Sequence, residues 1–363
     1  MRVALRRAVR ALGRTRPNPC VGAVVARDGR VVAVGHHARA GSDHAEVAAL
    51  RAAGEAARGA DLYVTLEPCS HHGRTPPCVD AVLAAGVSRV FAATLDQNPR
   101  VRGQGLQRLR EAGVEVVLGP CQQEAERVLA GFFTWVTSHR PLVILKVASS
   151  LDGRVATSSG ESRGLSGPRA HAWLHRVRDR VDAIMVGIGT VLADGPRLTP
   201  RHAPLAGRGP AHLTRVVLDT RLRIPLSSPL IADVGTHPLV VFTGEPTTGP
   251  GATVLAARGV QVETVPVRNG RVDLAAVLDN LGTRNITSLL VEGGPTVHGT
   301  LLAERLAQRA AILVTPRLLG TTAQPLASWP GHPSLGDAIG ISNVTHRTLG
   351  DDALVEGDIR YPG

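Results

Sequence analysis

Strand-like and helix-like segments alternate along this chain in two separate series, and this alternation limits the folds it can adopt. Short apolar runs such as DLYVTL at 61–66 are followed by longer segments with helical spacing. Such alternation predicts mixed or parallel sheets with helices on their faces. The stretch SHRPL at 138–142 separates the two series, and 363 residues are too many for one core. We therefore expect two α/β domains, residues 1–140 and 141–363.

The first series opens with a helix and a hairpin. Leu5, Val9 and Leu12 follow the spacing of a core-facing helical stripe, and Asp28-Gly29 is a strong two-residue hairpin signal. The predicted strands are 20–26, 30–35, 61–66, 89–94 and 114–118, and the predicted helices are 45–57, 79–85, 103–112 and 122–137.

The second series predicts a larger sheet. Gly293-Gly294 ends a strand and opens a helix, where backbone N–H groups and the helix dipole favour a pyrophosphate. The predicted strands are 143–148, 154–157, 183–186, 215–219, 239–242, 260–265, 288–292, 311–314 and 352–360, the predicted helices are 168–178, 274–281 and 297–305, and a loop is predicted at 201–210.

Composition excludes several classes of protein. With 43% hydrophobic and 20% charged residues the chain is in the globular range, and four cysteines are too few for a disulfide scaffold of this size. No apolar run has the length of a membrane span, and we expect a cytoplasmic protein. The net charge of +11 suggests a nucleic-acid partner, but the arginines are scattered and only 2% of the residues are aromatic. A base-editing enzyme that binds nucleic acid is therefore the weaker alternative.

Two cysteines, one histidine and one glutamate form a pattern that indicates a catalytic zinc site. His44 enters a predicted helix, Cys69 follows a strand, and Cys78 comes nine positions later. A catalytic zinc takes three protein ligands and leaves the fourth position to water. Glu46 is placed to move a proton between that water and a leaving group, as in zinc-dependent base deaminases. The alternative is a structural zinc loop that uses His71 or His72. We expect Cys121 to be a small apolar residue. Cys20 follows Asn18-Pro19 close to the presumed site, but nothing requires it as a ligand.

The motifs of the first half closely resemble the deaminase half of the bifunctional deaminase–reductases of riboflavin biosynthesis. They are PNPCVGAVV at 17–25, HAEVAALRAAGE at 44–55 and YVTLEPCSHHGRTPPC at 63–78. The resemblance continues through LKVASSLDGRVATSSGES at 145–162, VGIGTVLADGPRLT at 186–199, VVLDT at 216–220, VEGGPTVHG at 291–299 and PRLLG at 316–320.

This resemblance implies a fold, two reactions and two cofactors. The first domain would be a cytidine-deaminase-like three-layer α/β/α domain that holds one Zn²⁺ and deaminates a phosphoribosylated diaminopyrimidinone. The second would be a dihydrofolate-reductase-like α/β domain that reduces the ribose of the product to ribitol with NADPH. We expect a homo-oligomer that acts on a small molecule, without a nucleic-acid or membrane partner.

The resemblance also implies roles for individual residues. His44, Cys69 and Cys78 would bind zinc, and Glu46 would donate the proton. Substrate contacts are implied for Asn18, His37, Arg74, Ser162, Arg178, Leu198, Arg201 and Glu292. Cofactor contacts are implied for Ser149, Gly164, Thr190, Asp194, Thr220, Gly294, Pro295, Thr296, Val297, His298, Gly299 and Thr300.

Lys146 is the only lysine in the chain, and it stands at a motif position of the second half. A compact, titratable amine is a group that arginine cannot replace. We therefore predict that Lys146 orients or protonates the developing ribose hydroxyl, rather than forming an ion pair at a strand end.

Three departures from the family lie in or near the second half. Gly164-Leu165-Ser166 stands where the family usually has Trp-Ile-Thr, Gly195 stands where Asp or Asn is frequent, and Gln97 and Arg102 interrupt another motif. Loss of the aromatic residue removes packing surface beside the cofactor. The alternative is therefore a deaminase whose second domain is degenerate.

Overall fold

The structure is a computed structural model, and it describes residues 1–72, 76–99, 101–201, 213–331 and 333–363. The described residues form two compact units, Met1–His139 and the part of the chain from Arg140 onward. In the described part of the chain, none of the helices combines the length and the apolar character needed to cross a bilayer.

The first unit is a five-stranded sheet covered by helices. The strand order is β2-β1-β3-β4-β5, in which β1 is antiparallel to β2 and β3, and β3, β4 and β5 are parallel. The elements are α1 (Arg2–Ala11), β1 (Gly22–Arg27), β2 (Arg30–His36), α2 (Ala45–Ala53) with a 3-10 turn (Gly54–Ala57), β3 (Asp61–Val64), α3 (Cys78–Ala85), β4 (Arg89–Ala92), α4 (Gln104–Glu111), β5 (Glu115–Leu118) and α5 (Gln122–Ser138).

The predicted hairpin is confirmed, and its turn has the backbone that its residues favour. Asp28 and Gly29 have φ angles of 52° and 74°, and Arg27 pairs with Arg30. Positive φ at both central residues is the requirement of a type I′ turn, which asparagine, aspartate and glycine tolerate best.

The apolar stripe of α1 is shifted from the predicted one. Leu5 is buried, but Val9 and Leu12 are only half-buried, and alanines at positions 4, 8 and 11 form the rest of the buried face. Small residues are required there because the helix backbone lies directly against β1. A Cβ atom added to Gly22 would lie 2.1 Å from the carbonyl oxygen of Ala4.

Helix α2 covers the opposite face of the sheet with the same close approach. A Cβ atom at Gly35 would lie 2.3 Å from the carbonyl oxygen of Ala45. Gly22 pairs with His36, whereas Gly35 pairs with Ala23, so the two glycines occupy neighbouring pleat positions that face opposite sides. The sheet is therefore the middle layer of three, as expected.

The second unit is built on a nine-stranded sheet of order β11-β10-β9-β8-β14-β6-β15-β18-β17, with two small two-stranded sheets. Its elements are β6 (Leu142–Ser150), β7 (Arg154–Ala156), α6 (Pro168–Arg178), β8 (Ala183–Gly187), α7 (Ile188–Asp194), β9 (Thr214–Leu218), α8 (Pro229–Ala232), β10 (Leu239–Thr243), α9 (Pro250–Ala256), β11 (Gln261–Thr264), β12 (Val267–Arg268), β13 (Arg271–Val272), α10 (Leu274–Thr283), β14 (Ser288–Gly293), α11 (Pro295–Ala303), β15 (Arg309–Thr315), β16 (Gln324–Pro325), β17 (Gly340–Leu349) and β18 (Asp352–Arg360).

Central strand β6 contributes to an apolar core on each face of this sheet. Val143, Leu145 and Val147 pack with α10, while Ile144 and Ala148 pack on the side of α6. Alternate residues of a strand face opposite sides, so a strand covered on both faces is apolar along its whole length. Lys146 interrupts this apolar run.

Several elements differ from the sequence prediction. Helix α11 begins at Pro295 rather than Val297, because proline is favoured in the first turn of a helix. Strand β17 was not predicted, since most of its residues are polar and exposed and its partner β18 supplies its hydrogen bonds. The short helices α7, α8 and α9 were also missed, and two of them begin with proline beside glycine or serine. The predicted loop at 201–210 lies outside the described residues, except for Arg201.

The contact at Gly35 predicts a specific loss of stability. We expect Gly35→Ala to lower the free energy of unfolding by about 1–3 kcal/mol, because the new methyl group must push α2 away from β2. Chemical denaturation would measure this loss, and hydrogen exchange would place it in α2 and β2. The control is Gly235→Ala, where a Cβ meets no atom within 4 Å. Unchanged stability and exchange in Gly35→Ala would contradict the close contact.

Candidate active sites

Three side chains from separate segments of the first unit converge on one point. His44 caps the N-terminus of α2, Cys69 follows β3 in a loop, and Cys78 is the first residue of α3. Nδ1 of His44 lies 3.0 Å from Sγ of Cys78 and 3.6 Å from Sγ of Cys69. All three donor atoms lie within 4.8 Å of one another. The structure thus brings together the three predicted metal ligands.

Cys69 is attached to the first turn of α3. The backbone N–H of Cys78 donates a hydrogen bond to Sγ of Cys69 at 3.3 Å, and the N–H of Val79 donates to the Cys69 carbonyl at 3.2 Å. N–H groups at a helix N-terminus favour a negative sulfur. The sulfur of Cys69 therefore lies at the N-terminus of α3, although the residue itself belongs to the preceding loop.

A buried carboxylate holds the segment before Cys69 in place, and sequence reasoning missed it. Glu67 accepts hydrogen bonds from backbone N–H groups of a distant loop and of α4. The donors are Asp96 at 3.2 Å, Gly103 at 2.9 Å, Gly105 at 2.9 Å and Leu106 at 3.4 Å. Gly105 is required for this contact, because a Cβ atom there would lie 1.9 Å from the Pro68 carbonyl oxygen. The loop that carries Cys69 is therefore held against the start of α4 by the hydrogen bonds of Glu67.

The two thiols differ in how readily they lose a proton. Hydrogen bonds from Cys78 and His44 lower the pKa of Cys69 to about 4 in spite of burial, whereas the hydrogen bond to Cys69 and burial raise the pKa of Cys78. The pKa of His44 is raised, chiefly by its hydrogen bond to Cys69. The surroundings therefore favour the thiolate at Cys69, and thiolate is the form that binds metal.

The donor set fits zinc. One imidazole nitrogen and two sulfurs are the ligands that zinc prefers, and three protein ligands leave a fourth position for solvent or substrate. His71 and His72 are exposed and lie outside this cluster. The arrangement therefore favours the catalytic interpretation over a structural zinc loop.

Glu46 lies buried in the first turn of α2, two residues from His44. Burial raises its pKa to about 7, and the negative charge of Cys69 acts in the same direction. A carboxyl group with this pKa both accepts and donates a proton near neutral pH.

Glu46 and two of the ligands, His44 and Cys69, line a cavity of about 340 Å³, here called the cysteine cavity. Two predicted substrate residues, Asn18 and His37, also line it. Nδ1 of His37 donates to the carbonyl oxygen of Asp43 at 3.0 Å, which leaves Nε2 to accept from the Asn18 amide at 3.0 Å. Burial lowers the pKa of His37, in keeping with a neutral ring.

Other residues of the cysteine cavity were not predicted. Asp96 and Asn98 line it, together with the aromatic side chains of Phe132 and Trp135 from α5. Burial raises the pKa of Asp96 to about 6, and the negative charge of Glu67 adds to the effect. The only sequence signal here was the interrupted motif around Gln97. Arg74 lies outside the described residues.

The second unit contains a cavity of about 990 Å³, here called the lysine cavity, at the centre of its sheet. Val291 of β14 pairs with Leu145 of β6, so Glu292 comes level with Lys146 on the neighbouring strand. Both side chains line the cavity, as does Arg178 from the end of α6.

Arg178 and Glu292 form a buried ion pair with two parallel hydrogen bonds of 2.7 Å. Their side chains are 9% and 8% exposed, so little solvent screens the pair. Burial alone would raise the pKa of Glu292, but the charge and hydrogen bonds of Arg178 lower it overall. Burial lowers the pKa of Lys146, and Arg178 adds to this while Glu292 opposes it. The amine thus titrates closer to neutral pH than an exposed lysine.

Most of the predicted substrate and cofactor residues of the second half line the lysine cavity. They are Ser162, Gly164, Arg178, Thr190, Asp194, Leu198, Arg201, Glu292, Gly294, Pro295, Thr296, Val297 and His298. Ser149 is buried in β6 and does not line the cavities described here.

Thr220, Gly299 and Thr300 line a neighbouring cavity of about 610 Å³, together with Thr296 and Val297. We call it the arginine cavity, because Arg221, Arg223, Arg268 and Arg271 line it. Gly187, Gly189, Thr296 and Val297 line both cavities of the second unit, which therefore meet at the start of α11.

Two of the sequence departures have a conformational explanation. Gly195 ends α7 with φ of 52° and ψ of 51°, a left-handed conformation that asparagine, aspartate and glycine tolerate best. Gly164 has φ of 78° and no atom within 4 Å of an added Cβ, at the rim of the lysine cavity. The loop is therefore open where the family usually has an aromatic side chain.

Two known families match separate parts of the chain. The family described as cytidine and deoxycytidylate deaminase zinc-binding region matches residues 1–94. The family described as RibD C-terminal domain matches residues 141–355. Both a deaminase and a reductase domain are thus present, which favours a bifunctional enzyme over the deaminase-only alternative.

Similar proteins cover the whole chain. Riboflavin biosynthesis protein RibD of Escherichia coli (strain K12) is 42% identical over 357 residues, 97% of this chain and 96% of that protein. The protein of the same name from Aquifex aeolicus (strain VF5) is 41% identical over 355 residues, 98% of this chain and 96% of that protein. A crystal structure from Thermotoga maritima, described as a diaminohydroxyphosphoribosylaminopyrimidine deaminase/5-amino-6-(5-phosphoribosylamino)uracil reductase, is 33% identical with a TM-score of 0.84 and covers 99% of this chain and 97% of that one. This chain therefore belongs to the RibD family, the bifunctional zinc-dependent deaminases and NADPH-dependent reductases of riboflavin biosynthesis.

Proposed function

We propose that the cysteine cavity deaminates 2,5-diamino-6-(5-phosphoribosylamino)pyrimidin-4(3H)-one by hydrolysis. The observation that carries this assignment is a cluster of three metal donors beside a cavity that two of them, His44 and Cys69, line together with the buried carboxyl group of Glu46. Zinc bound there would supply the Lewis acidity that makes water a nucleophile at neutral pH. In the reaction, water adds to the ring carbon that bears the exocyclic amine, the C–N bond breaks, and ammonia leaves.

Glu46 moves the protons of this reaction. Its carboxylate accepts a proton from the attacking water and returns it to the exocyclic nitrogen, which then departs as ammonia. The raised pKa of Glu46 supports both steps, because a carboxyl group near neutrality gives and takes a proton with small cost. Asn18 and His37 lie on the same cavity wall and orient the pyrimidine and its phosphoribosyl arm.

We propose that the lysine cavity reduces the ribose of the deaminated product to ribitol phosphate. In the reaction the bond between C1 and the ring oxygen of the ribose breaks, NADPH bound there would supply a hydride to C1, and the freed oxygen takes up a proton. Lys146 donates a proton to the oxygen atom that becomes the new hydroxyl, and the lowered pKa of its amine favours this transfer. Glu292, which Arg178 holds in its ionised form, comes level with Lys146 on the neighbouring strand, and its charge opposes part of the effect of burial on the pKa of the amine.

The start of α11 is the proposed site of the cofactor pyrophosphate. Gly294 caps this helix and Pro295 follows, so the N–H groups of Thr296 and Val297 belong to the helix turn that has no intrahelical acceptor. These groups and the helix dipole favour a phosphate. We also predict that the protein is cytoplasmic and forms a homo-oligomer. The absence of nucleic-acid and membrane partners stays a prediction as well.

Glu46→Gln tests the proton carrier. The amide keeps the shape of the side chain but cannot carry the proton, so we expect ammonia release to fall by about 10²- to 10⁴-fold or more. Metal analysis should still find one zinc per chain, because Glu46 is not a ligand. Normal ammonia release by this variant would refute the assignment.

Cys69→Ser and Cys78→Ser test the metal donors. We expect each variant to lose zinc during dialysis against a chelator that leaves wild-type protein loaded, and to lose deamination with it, because a hydroxyl is a poorer zinc ligand than a thiolate. Cys121→Ser is the matched control, since this cysteine lies outside the donor cluster. Full zinc content in either of the first two variants would show that the cluster is not the metal site.

Lys146→Arg separates the two reactions. The guanidinium keeps the positive charge but does not release a proton near neutral pH, so we expect NADPH oxidation to fall by about 10²-fold or more. Ammonia release should stay within about twofold of wild type, because Lys146 lies in the other compact unit. Equal loss of both activities would indicate misfolding instead, and circular dichroism would check for it.

A further inference from the structure

The segment that follows α7, residues 195–201, lines the lysine cavity and is here called the Leu198 loop. Gly195, Leu198 and Arg201 of this loop belong to the cavity lining. Leu198 has a φ of 54°, although it is not a glycine, and its side chain is buried in the core on the α6 side of the sheet. A leucine adopts this left-handed backbone only where its surroundings enforce it. The neighbours of the loop therefore determine its conformation.

Two buried arginines hold carbonyl groups of the Leu198 loop. Nη1 of Arg178, from α6, donates a hydrogen bond to the carbonyl oxygen of Thr199 at 3.3 Å. Nη1 of Arg215, from β9, donates to the carbonyl oxygen of Arg197 at 3.4 Å. Both guanidiniums belong to residues that are buried in the second unit, so these contacts tie the middle of the loop to its core.

A histidine holds the end of the same loop. His175 lies three positions before Arg178 on α6, and residues three apart share one side of a helix. The backbone N–H of Arg201 donates to Nδ1 of His175 at 3.2 Å. A ring nitrogen that accepts a hydrogen bond carries no proton, so His175 serves here as an acceptor, whereas the two arginines serve as donors. The backbone of Arg201 is thereby tied directly to α6.

The side chain of Arg201 belongs to the cavity in which reduction is proposed. Arg201 is exposed, and it lines the same cavity as Lys146. The substrate of the proposed reduction carries a phosphate group, which a guanidinium binds through charge-assisted hydrogen bonds. The long side chain of arginine reaches a fixed point only if its backbone is fixed. The hydrogen bond to His175 supplies this restraint.

We propose that His175 is a positioning residue of the reductase, which fixes the backbone of Arg201 and thereby places its guanidinium for the phosphate of the substrate. The proposal rests on the proposed reductase function and names a residue on which substrate affinity depends. Among the described residues that line the lysine cavity, His175 is absent. It therefore acts through Arg201 and not by contact with the substrate.

Two replacements of His175 isolate the acceptor. The amide oxygen of asparagine can take the place of Nδ1, whereas leucine has a similar size and no acceptor. Both remove the ring, whose charge would lower the pKa of Glu292, so the difference between them reports the hydrogen bond. We expect His175→Leu to raise KM for the deaminated substrate by about 5- to 20-fold, and His175→Asn by less than about threefold. In both variants kcat and KM for NADPH should stay within about twofold of wild type.

A double-variant cycle tests whether His175 acts through Arg201. In an Arg201→Ala background the guanidinium is absent, so His175→Leu should raise KM no further. Losses that multiply in the double variant overturn the proposal, because they show a general effect on the fold. An equal KM in His175→Leu and wild type, or an equal loss in His175→Leu and His175→Asn, overturns it as well.

His346→Leu is the matched control, because His346 is exposed in the same unit and lies outside the lysine cavity. It should leave KM and kcat unchanged. Thermal unfolding followed by circular dichroism would check that all variants are folded.

Binding of two sugars separates this proposal from the reductase assignment. Isothermal titration of the full chain with ribose 5-phosphate and with ribose isolates the phosphate without turnover. Equal binding of both by wild type, with NADPH still oxidised, overturns the role of His175 and Arg201 and leaves the reductase function standing. A preference for ribose 5-phosphate that His175→Leu loses and His175→Asn keeps supports the role of His175. The same preference without NADPH oxidation by wild type contradicts the proposed reaction only.

Discussion

The convergence of His44, Cys69 and Cys78 depends on a carboxylate that does not touch them. Glu67 accepts backbone hydrogen bonds from the loop after β4 and from the start of α4, and so fixes the segment that delivers Cys69. A buried carboxylate is costly unless its oxygens are satisfied, and four N–H donors satisfy Glu67. The same hydrogen bonds place Asp96 in the lining of the cysteine cavity. Glu67 therefore positions residues of both the metal cluster and the cavity.

The second unit depends on a comparable buried charge. Removal of either Arg178 or Glu292 would leave its partner unpaired in a poorly screened interior, at a cost of about 3–5 kcal/mol. Apolar replacement of both residues is often harmless to stability in such cases. Stability alone therefore does not account for the pair, which also places a carboxylate and a guanidinium in the same cavity lining as Lys146.

Sequence patterns predicted most of this architecture because they reflect local geometry. The Asp28-Gly29 turn, the start of α6 at Pro168 and the glycine pair before α11 each follow from backbone preferences. Strand β17 was not predicted because its hydrogen bonds come from β18 and its exposed side chains show no apolar alternation. The apolar stripe of α1 was misplaced because the approach of Ala4 to Gly22 requires small residues, which a search for large apolar ones overlooks.

In the candidate sites, too, local motifs could be predicted from the sequence, whereas contacts between distant segments could not. His44, Glu46, Cys69 and Cys78 form a spaced motif whose chemistry is readable, but Glu67 acts through backbone groups almost 40 positions away and has no local signal. The arginine cavity could not be predicted from the sequence for another reason. In a chain whose basic residues are all arginine except Lys146, no single arginine stands out; only the fold shows which of them share a cavity.

The lysine cavity combines an arginine and a lysine whose chemical properties differ. Arg178 must stay charged to hold Glu292 with two parallel hydrogen bonds, and a planar guanidinium does both. In the proposed reduction Lys146 loses and regains a proton, which a guanidinium does not do near neutral pH. A lysine at 178 would give up the two-point contact, and an arginine at 146 would give up the titrating group. In the proposed mechanism the charge of Arg178 is therefore fixed, while that of Lys146 changes during the reaction.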